Sequence, residues 1–138
     1  MVNEALKGFF IDCKGCSAKI DKNELKANLH VCPKCDHHLY MPVDERFFWL
    51  FDEGWEEIFK DVGSKDFLQF RDKKGYSDRL QKLYGKGMSG DSFRCALGEI
   101  GGKKVIAGVN DFRFMGGSLG SAAGEKIVRA FEMGLDLQ

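Results

Sequence analysis

No stretch of this sequence is both apolar enough and long enough to cross a membrane as a helix, and its first ten residues lack the basic start and apolar run of a secretory signal. These absences lead to the expectation of a cytoplasmic protein with no membrane partner. An excess of charge is also missing. Lys and Arg number 21, Asp and Glu number 21, and the pI is about 6.8. Proteins that grip nucleic acid usually carry a basic surplus, so nucleic acid is not the expected partner. No Gly-Lys-Ser/Thr follows a glycine at the spacing of a nucleotide-binding P-loop, and the glycine-rich stretch at 116–120 lacks the G-x-G-x-x-G order of dinucleotide folds. Neither a Ser/His/Asp set nor a pair of carboxylates suggests hydrolytic or acid–base catalysis. Internal repeats and low-complexity tracts are absent as well.

What is present begins with cysteine. Cys13-Lys14-Gly15-Cys16 and Cys32-Pro33-Lys34-Cys35 are two C-x-x-C knuckles separated by fifteen residues. Without a secretion signal, cysteines paired in this way read as metal ligands before disulfides. Each knuckle turns tightly enough for two thiolates to face one ion. Four thiolates close a tetrahedral shell that suits structural Zn²⁺ and leaves no position for a reacting water. Disulfides or iron are the other readings. The metal would stabilise a segment, residues 1–42, too small to build its own core. Asp21-Lys22-Asn23 reads as a turn between two short arms. His30, His37 and His38 read as surface groups or neighbours of the ligand shell. Residues 1–40 carry six Lys against five Asp and Glu, so this ribbon has no basic stripe. Cys95 lies in an apolar run and reads as a buried thiol.

Residues 43–91 read as a connector of helices and loops. Val43 to Phe51 is a helix candidate, with Asp44 near its start, Gly54 past its end and its aromatics in the core. Trp55 to Phe59 fits either helix or strand. Residues 60–75 read as a loop in which Asp72-Lys73-Lys74 is solvated. Tyr76 to Tyr84 fits a helix, and 85–91 is a flexible loop.

Residues 92–138 change character. Phe93–Ile100 and Lys103–Asn110 are apolar runs joined by Gly101-Gly102, a β-hairpin signature. Phe112 to Met115 reads as a further short strand. Ser118 reads as the N-cap of a helix to about Leu135, with Ala123, Ile127, Ala130, Phe131 and Leu135 on its apolar face. A β-β-α unit with such a face needs more sheet to cover it. The expectation is therefore a fragment, a divided subunit or one part of an obligate complex. Between strand and helix lies Gly116-Gly117-Ser118-Leu119-Gly120. Backbone N–H groups and glycines here could cradle an anion, form an oxyanion site, or only make a tight turn.

The order of these features resembles a known family. The cysteine box runs on through Asp36-His37-His38. Asp44-Glu45-Arg46, Leu50-Phe51-Asp52-Glu53-Gly54, Phe70-Arg71-Asp72 and Tyr76-Ser77-Asp78-Arg79-Leu80 follow it. Asp111-Phe112-Arg113-Phe114-Met115-Gly116-Gly117-Ser118-Leu119-Gly120 with Gly124-Glu125-Lys126 completes the set. Together they resemble the carboxyltransferase beta subunit of bacterial and plastid acetyl-CoA carboxylase. Phe67 departs from it, standing where the family usually has proline. The family's later glycine-rich segment also has no counterpart in these residues, so activity would need that segment from elsewhere.

The resemblance implies an α/β (α+β) chain, a four-cysteine zinc ribbon followed by the first ββα units of a crotonase-like superhelix. It implies transfer of a carboxyl group from carboxybiotin, on a carrier protein, to acetyl-CoA, giving malonyl-CoA for fatty acid synthesis. The implied partners are a carboxyltransferase alpha subunit, biotin carboxyl carrier protein and biotin carboxylase, in a hetero-oligomer. The implied metal ligands are Cys13, Cys16, Cys32 and Cys35. Gly116 and Gly117 would offer backbone N–H groups to the reaction, and Ser118, Leu119 and Gly120 would contact substrate. Lys126 and Arg129 could reach CoA phosphates, but on a helix surface they read as solvated. The alternative is a non-catalytic zinc-ribbon module that binds protein or nucleic acid.

Overall fold

The computed structural model describes residues 9–88 and 90–137. The start of the expected ribbon (residues 1–8), Ser89 of the expected loop 85–91, and Gln138 lie outside the described residues. The chain is mixed α/β and divides into two compact units, Met1–Pro42 and Val43–Gln138.

In the first unit, strands β1 (Phe10–Asp12) and β2 (Lys19–Asp21) pair antiparallel, with Ile11 opposite Ile20. Helix α1 (Lys22–Ala27) follows directly. Asp21-Lys22-Asn23 is therefore a helix start rather than a turn between arms. The Asp21 carboxylate accepts from the N–H of Asn23 at 2.8 Å and of Glu24 at 3.2 Å, which satisfies amides that would otherwise lack acceptors. Beyond α1, Leu29 and His30 both take positive φ and turn the chain back. Buried Cys13, Ile20, Leu25 and Cys32 form the core, with Leu39 against them. Half of these four residues are cysteines, so aliphatic burial alone contributes little here.

The second unit starts with helix α2 (Val43–Leu50) and strand β3 (Glu56–Ile58), which resolves the ambiguous stretch as extended. Helix α3 (Tyr76–Tyr84), strands β4 (Phe93–Ile100) and β5 (Lys103–Asn110), and helix α4 (Ser121–Asp136) follow. The three strands form an antiparallel sheet in the order β3-β4-β5. Gly101 and Gly102 have φ of 59° and 72°, the two positive values that a tight hairpin turn requires.

The core of this unit holds Val43, Phe47, Phe51 and Ala96, with Trp55 and alternate residues of β5 packed on it. The Phe47 ring lies 4.9 Å from Trp55 and 6.0 Å from Phe51. The expectation that all the α2 aromatics are core fails for Phe48 and Trp49, which are 65% and 46% exposed. Positions four apart share a helix face, so Phe47 and Phe51 enter the core together and their neighbours cannot.

The loop before α3 is tied down by its acids. Asp66 accepts from Phe70 N–H at 2.9 Å and from the Ser77 hydroxyl at 2.8 Å. Asp72, expected to be simply solvated, accepts from Lys74 N–H at 2.9 Å and from Arg79 at 2.6 Å.

Two expectations near α4 are corrected. Phe112–Met115 is not a strand. Asp111 accepts from the N–H of Arg113, and Phe114 N–H closes a turn onto Asp111 O at 3.0 Å, so the chain bends away from the sheet into a 3₁₀ turn at Met115–Gly117. Ser118 is not the helix cap either. Helix α4 begins at Ser121 behind Gly120, and among the described residues no side chain caps it. Its buried side chains are Ala122, Ala123 and Lys126, whereas Phe131 and Leu135 are 73% and 69% exposed. Among the described residues, no helix is long and apolar enough to cross a membrane.

Candidate functional site

Cys13, Cys16, Cys32 and Cys35 converge, with their Sγ atoms all within 4.8 Å of one another. Each knuckle is shaped by its own backbone. Gly15 N–H reaches Cys13 Sγ at 3.3 Å, and Lys34 N–H reaches Cys32 Sγ at 3.4 Å. The bridge between Val31 and His38 holds the second knuckle, and a Cβ at Gly15 would lie 2.8 Å from His37 Cβ, so only glycine fits that turn.

The spacing tests which ion would fit. Thiolates placed tetrahedrally at about 2.3 Å from one Zn²⁺ lie roughly 3.8 Å apart. The observed Cys13–Cys35 and Cys16–Cys32 separations are 3.7 and 3.8 Å. Four sulfur donors at these distances suit a closed structural zinc site.

The thiols also differ in acidity. Burial disfavours ionising Cys13, but N–H donors from Cys16 and Gly15, together with the Cys32 and Cys35 thiols, pull it down to about 7. His37 N–H favours a Cys35 thiolate, but the Cys16 thiol and burial outweigh it and push Cys35 up to about 12. A divalent cation would replace this shared set of protons.

The glycine loop lies in the second unit. Met115, Gly116 and Gly117 have φ of 46°, 68° and 76°. A Cβ on Gly117 would meet Phe112 Cδ1 at 2.9 Å and Asn110 Nδ2 at 3.1 Å, so this position demands glycine twice over. Gly117 N–H is engaged, donating to Phe114 O at 2.8 Å, and Ser118 N–H makes only a long 3.4 Å contact with Met115 O. The N–H groups of Leu119 and Gly120 have no acceptor among the described residues. Leu119 itself is 62% exposed.

Sequence reading missed the residues that hold this loop. The hydroxyl of Ser92, fully buried, donates to Ser118 O at 2.7 Å, and Asn110 Nδ2 donates to Gly117 O at 2.6 Å. No local pattern marks them, because the contact with Ser118 spans 26 positions. Asp91 accepts from Ser64 at 2.6 Å and from Phe93 N–H at 3.1 Å, tying the loop near residue 64 to the start of β4. Lys126 is not a solvated helix residue. It is 3% exposed, and its Nζ donates to Phe93 O at 2.8 Å. Burial lowers its pKa, opposed by the nearby Asp91 carboxylate. Arg129 is taken up by Glu125 at 2.8 Å and Asp61 at 3.7 Å. Cys95 is buried as expected, and burial raises its pKa.

A polar cleft of about 320 Å³ lies beside this region. Arg94 crosses it, donating to both Glu57 oxygens at 2.8 and 2.6 Å and to Asp44 at 2.7 Å. These carboxylates raise its already high pKa.

Residues 10–35 match a family model described as the acetyl-CoA carboxylase zinc finger domain. The chain is 45% identical over 130 residues to the acetyl-coenzyme A carboxylase carboxyl transferase subunit beta of Pelobacter propionicus, covering 94% of this chain and 46% of that protein. It is 42% identical over 134 residues to the subunit of the same name from Synechococcus elongatus, covering 96% and 44%. For the subunit from Citrifermentans bemidjiense the figures are 43% over 130 residues, 94% and 46%. The chain spans less than half the length of these curated relatives and is similar to their N-terminal part.

Proposed function

We propose that this chain works as part of the beta side of an acetyl-CoA carboxylase carboxyltransferase, moving a carboxyl group from biotin on a carrier protein to acetyl-CoA to give malonyl-CoA. The observation that carries this reading is 42–45% identity along 94–96% of the chain, across both compact units. A free-standing ribbon module would account for the first unit only, so that alternative is not favoured.

In this reading Cys13, Cys16, Cys32 and Cys35 hold one zinc ion that stabilises the first unit and takes no part in the reaction. Residues 43–91 connect it to the start, at 92–138, of a crotonase-like domain. The biotin supplies the carboxyl group. The reaction develops negative charge on the thioester oxygen as the acetyl α-proton leaves, and N–H donors aimed at that oxygen lower the barrier. Gly116 and Gly117 serve through their positive φ, which turns the chain so that the amides after them face outward. Because Gly117 N–H already bonds Phe114 O, the donors to substrate are the exposed amides that meet no acceptor among the described residues, those of Gly116, Leu119 and Gly120. Ser118 and Gly120 shape the same wall by their main chain. An alpha subunit, biotin carboxyl carrier protein and biotin carboxylase are the proposed partners in a cytoplasmic hetero-oligomer.

The test is gentle purification from the native source, followed by native mass spectrometry and an assay of carboxyl transfer to acetyl-CoA. One zinc per chain, companion chains and acetyl-CoA-dependent transfer are expected. Gly117→Trp should abolish transfer while leaving zinc bound. A chain that copurifies with no partner and supports no transfer overturns the proposal.

A further inference from the structure

We infer that Ser92 and Asn110 are positioning residues that lock the glycine loop so that the Leu119 amide points at the substrate oxygen. The inference rests on the carboxyltransferase reading above. It starts from the geometry of one peptide plane. In a trans peptide the C=O and the following N–H point in opposite directions, and every described peptide is trans. The Ser118 carbonyl is turned inward onto the fully buried Ser92 hydroxyl at 2.7 Å. The N–H of Leu119, on the same plane, is thereby directed away from the interior, where no acceptor among the described residues meets it. Ser92 is itself anchored, because its own carbonyl accepts Asp111 N–H at 2.7 Å.

Asn110 does the same one peptide earlier. Its Nδ2 holds Gly117 O at 2.6 Å, while its Oδ1 is buried with no partner among the described residues. A buried acceptor left unpaired is unusual and calls for an explanation. Rotating the amide would set Oδ1 against Gly117 O, acceptor facing acceptor, so the side chain is held with Oδ1 orphaned.

A lock is needed because Gly117, at positive φ, lets the 117–118 peptide turn at little cost and so swing the 118–119 plane that follows it. A flip of the 118–119 peptide would present a carbonyl, not an N–H, to the developing oxyanion and repel it. Two side-chain donors on the inward carbonyls disfavour that state before substrate arrives, which is the preorganisation such catalysis depends on.

The experiment uses the complete native complex with Ser92→Ala, Ser92→Thr and the nearly isosteric Asn110→Asp. Ser92→Ala should lower kcat for transfer to acetyl-CoA by roughly ten- to hundredfold, a loss no larger than that of an oxyanion donor itself. Asn110→Asp, which loses the donor to Gly117 O, should lower kcat in the same range. The KM for acetyl-CoA should stay within about threefold in both. Ser92→Thr, which keeps the hydroxyl, should recover most of kcat. A merely structural role would reduce the amount of folded complex but leave kcat per folded complex unchanged, and that result overturns the inference while the carboxyltransferase reading stands. If the wild-type complex transfers nothing, that reading itself fails. The lock is then judged on the chain by ¹⁵N relaxation dispersion at Leu119. Quiet wild type with exchange in Ser92→Ala supports a locked peptide, and no exchange in either overturns it.

Discussion

At Gly98 the difference between a hydrogen and a methyl group decides whether the core closes. A Cβ there would lie 2.5 Å from Phe51 Cδ1, and Phe51 is 5% exposed. Gly98→Ala should cost about 1–3 kcal/mol through overpacking. A lower denaturant midpoint with an unchanged slope would show it. Cys32 is buried within the thiol cluster, and Cys32→Ser should remove bound zinc, measured as metal per chain by atomic emission.

Asp66 gives a pH signature. Its carboxylate accepts from Phe70 N–H and the Ser77 hydroxyl, which lower its pKa below the ordinary 3.8. A depressed acid stabilises the fold above its unfolded pKa and loses that effect as pH falls through the folded value. The stability advantage of wild type over Asp66→Ala should therefore be constant from neutral pH to about 5 and shrink below about 4. Denaturation midpoints across that range would measure it. The cysteine ligands were legible because C-x-x-C is a local pattern. The buried state of Lys126 was not, because helix spacing reports which residues share a face but not what lies opposite.

Among the elements, the β4–β5 hairpin was readable to the residue. Two apolar runs flank a Gly-Gly pair, and both glycines take the left-handed φ the turn demands. Gly101→Val should cost about 1–2 kcal/mol, because a side chain in that region clashes with its own carbonyl. Gly101→Asn should be tolerated, as Asn-Gly suits the same turn. Thermal melts of both variants test the pair. The start of α4 was misread for a matching reason. Ser118 has the right residue type for a cap, but it sits in extended conformation at the end of a 3₁₀ turn, and its carbonyl is held by Ser92. Likewise, Phe112–Met115 has the composition of a strand. The Asp111 side chain, bonded to Arg113 N–H at 3.0 Å, turns it instead.

At the scale of the whole molecule, the two units have separate cores of different kinds. One is largely thiol, the other aromatic and aliphatic. A strong chelator should therefore melt residues 10–39 and leave the β3-β4-β5 sheet protected. Hydrogen exchange with mass spectrometry would resolve the two, and uniform loss of protection would refute separate stabilisation.

What the sequence by itself determined is whatever depends on neighbours in the chain. The zinc-type knuckles, the hairpin, the bounds of α3 and the family likeness all follow from residue types at short spacing. What only the tertiary structure decided is where distant groups meet. Ser92 came to Ser118, Asn110 to Gly117 and Lys126 to the start of β4, because packing α4 onto the hairpin left backbone carbonyls away from water. Buried carbonyls need donors, and the fold recruited them from residues that no local pattern distinguishes.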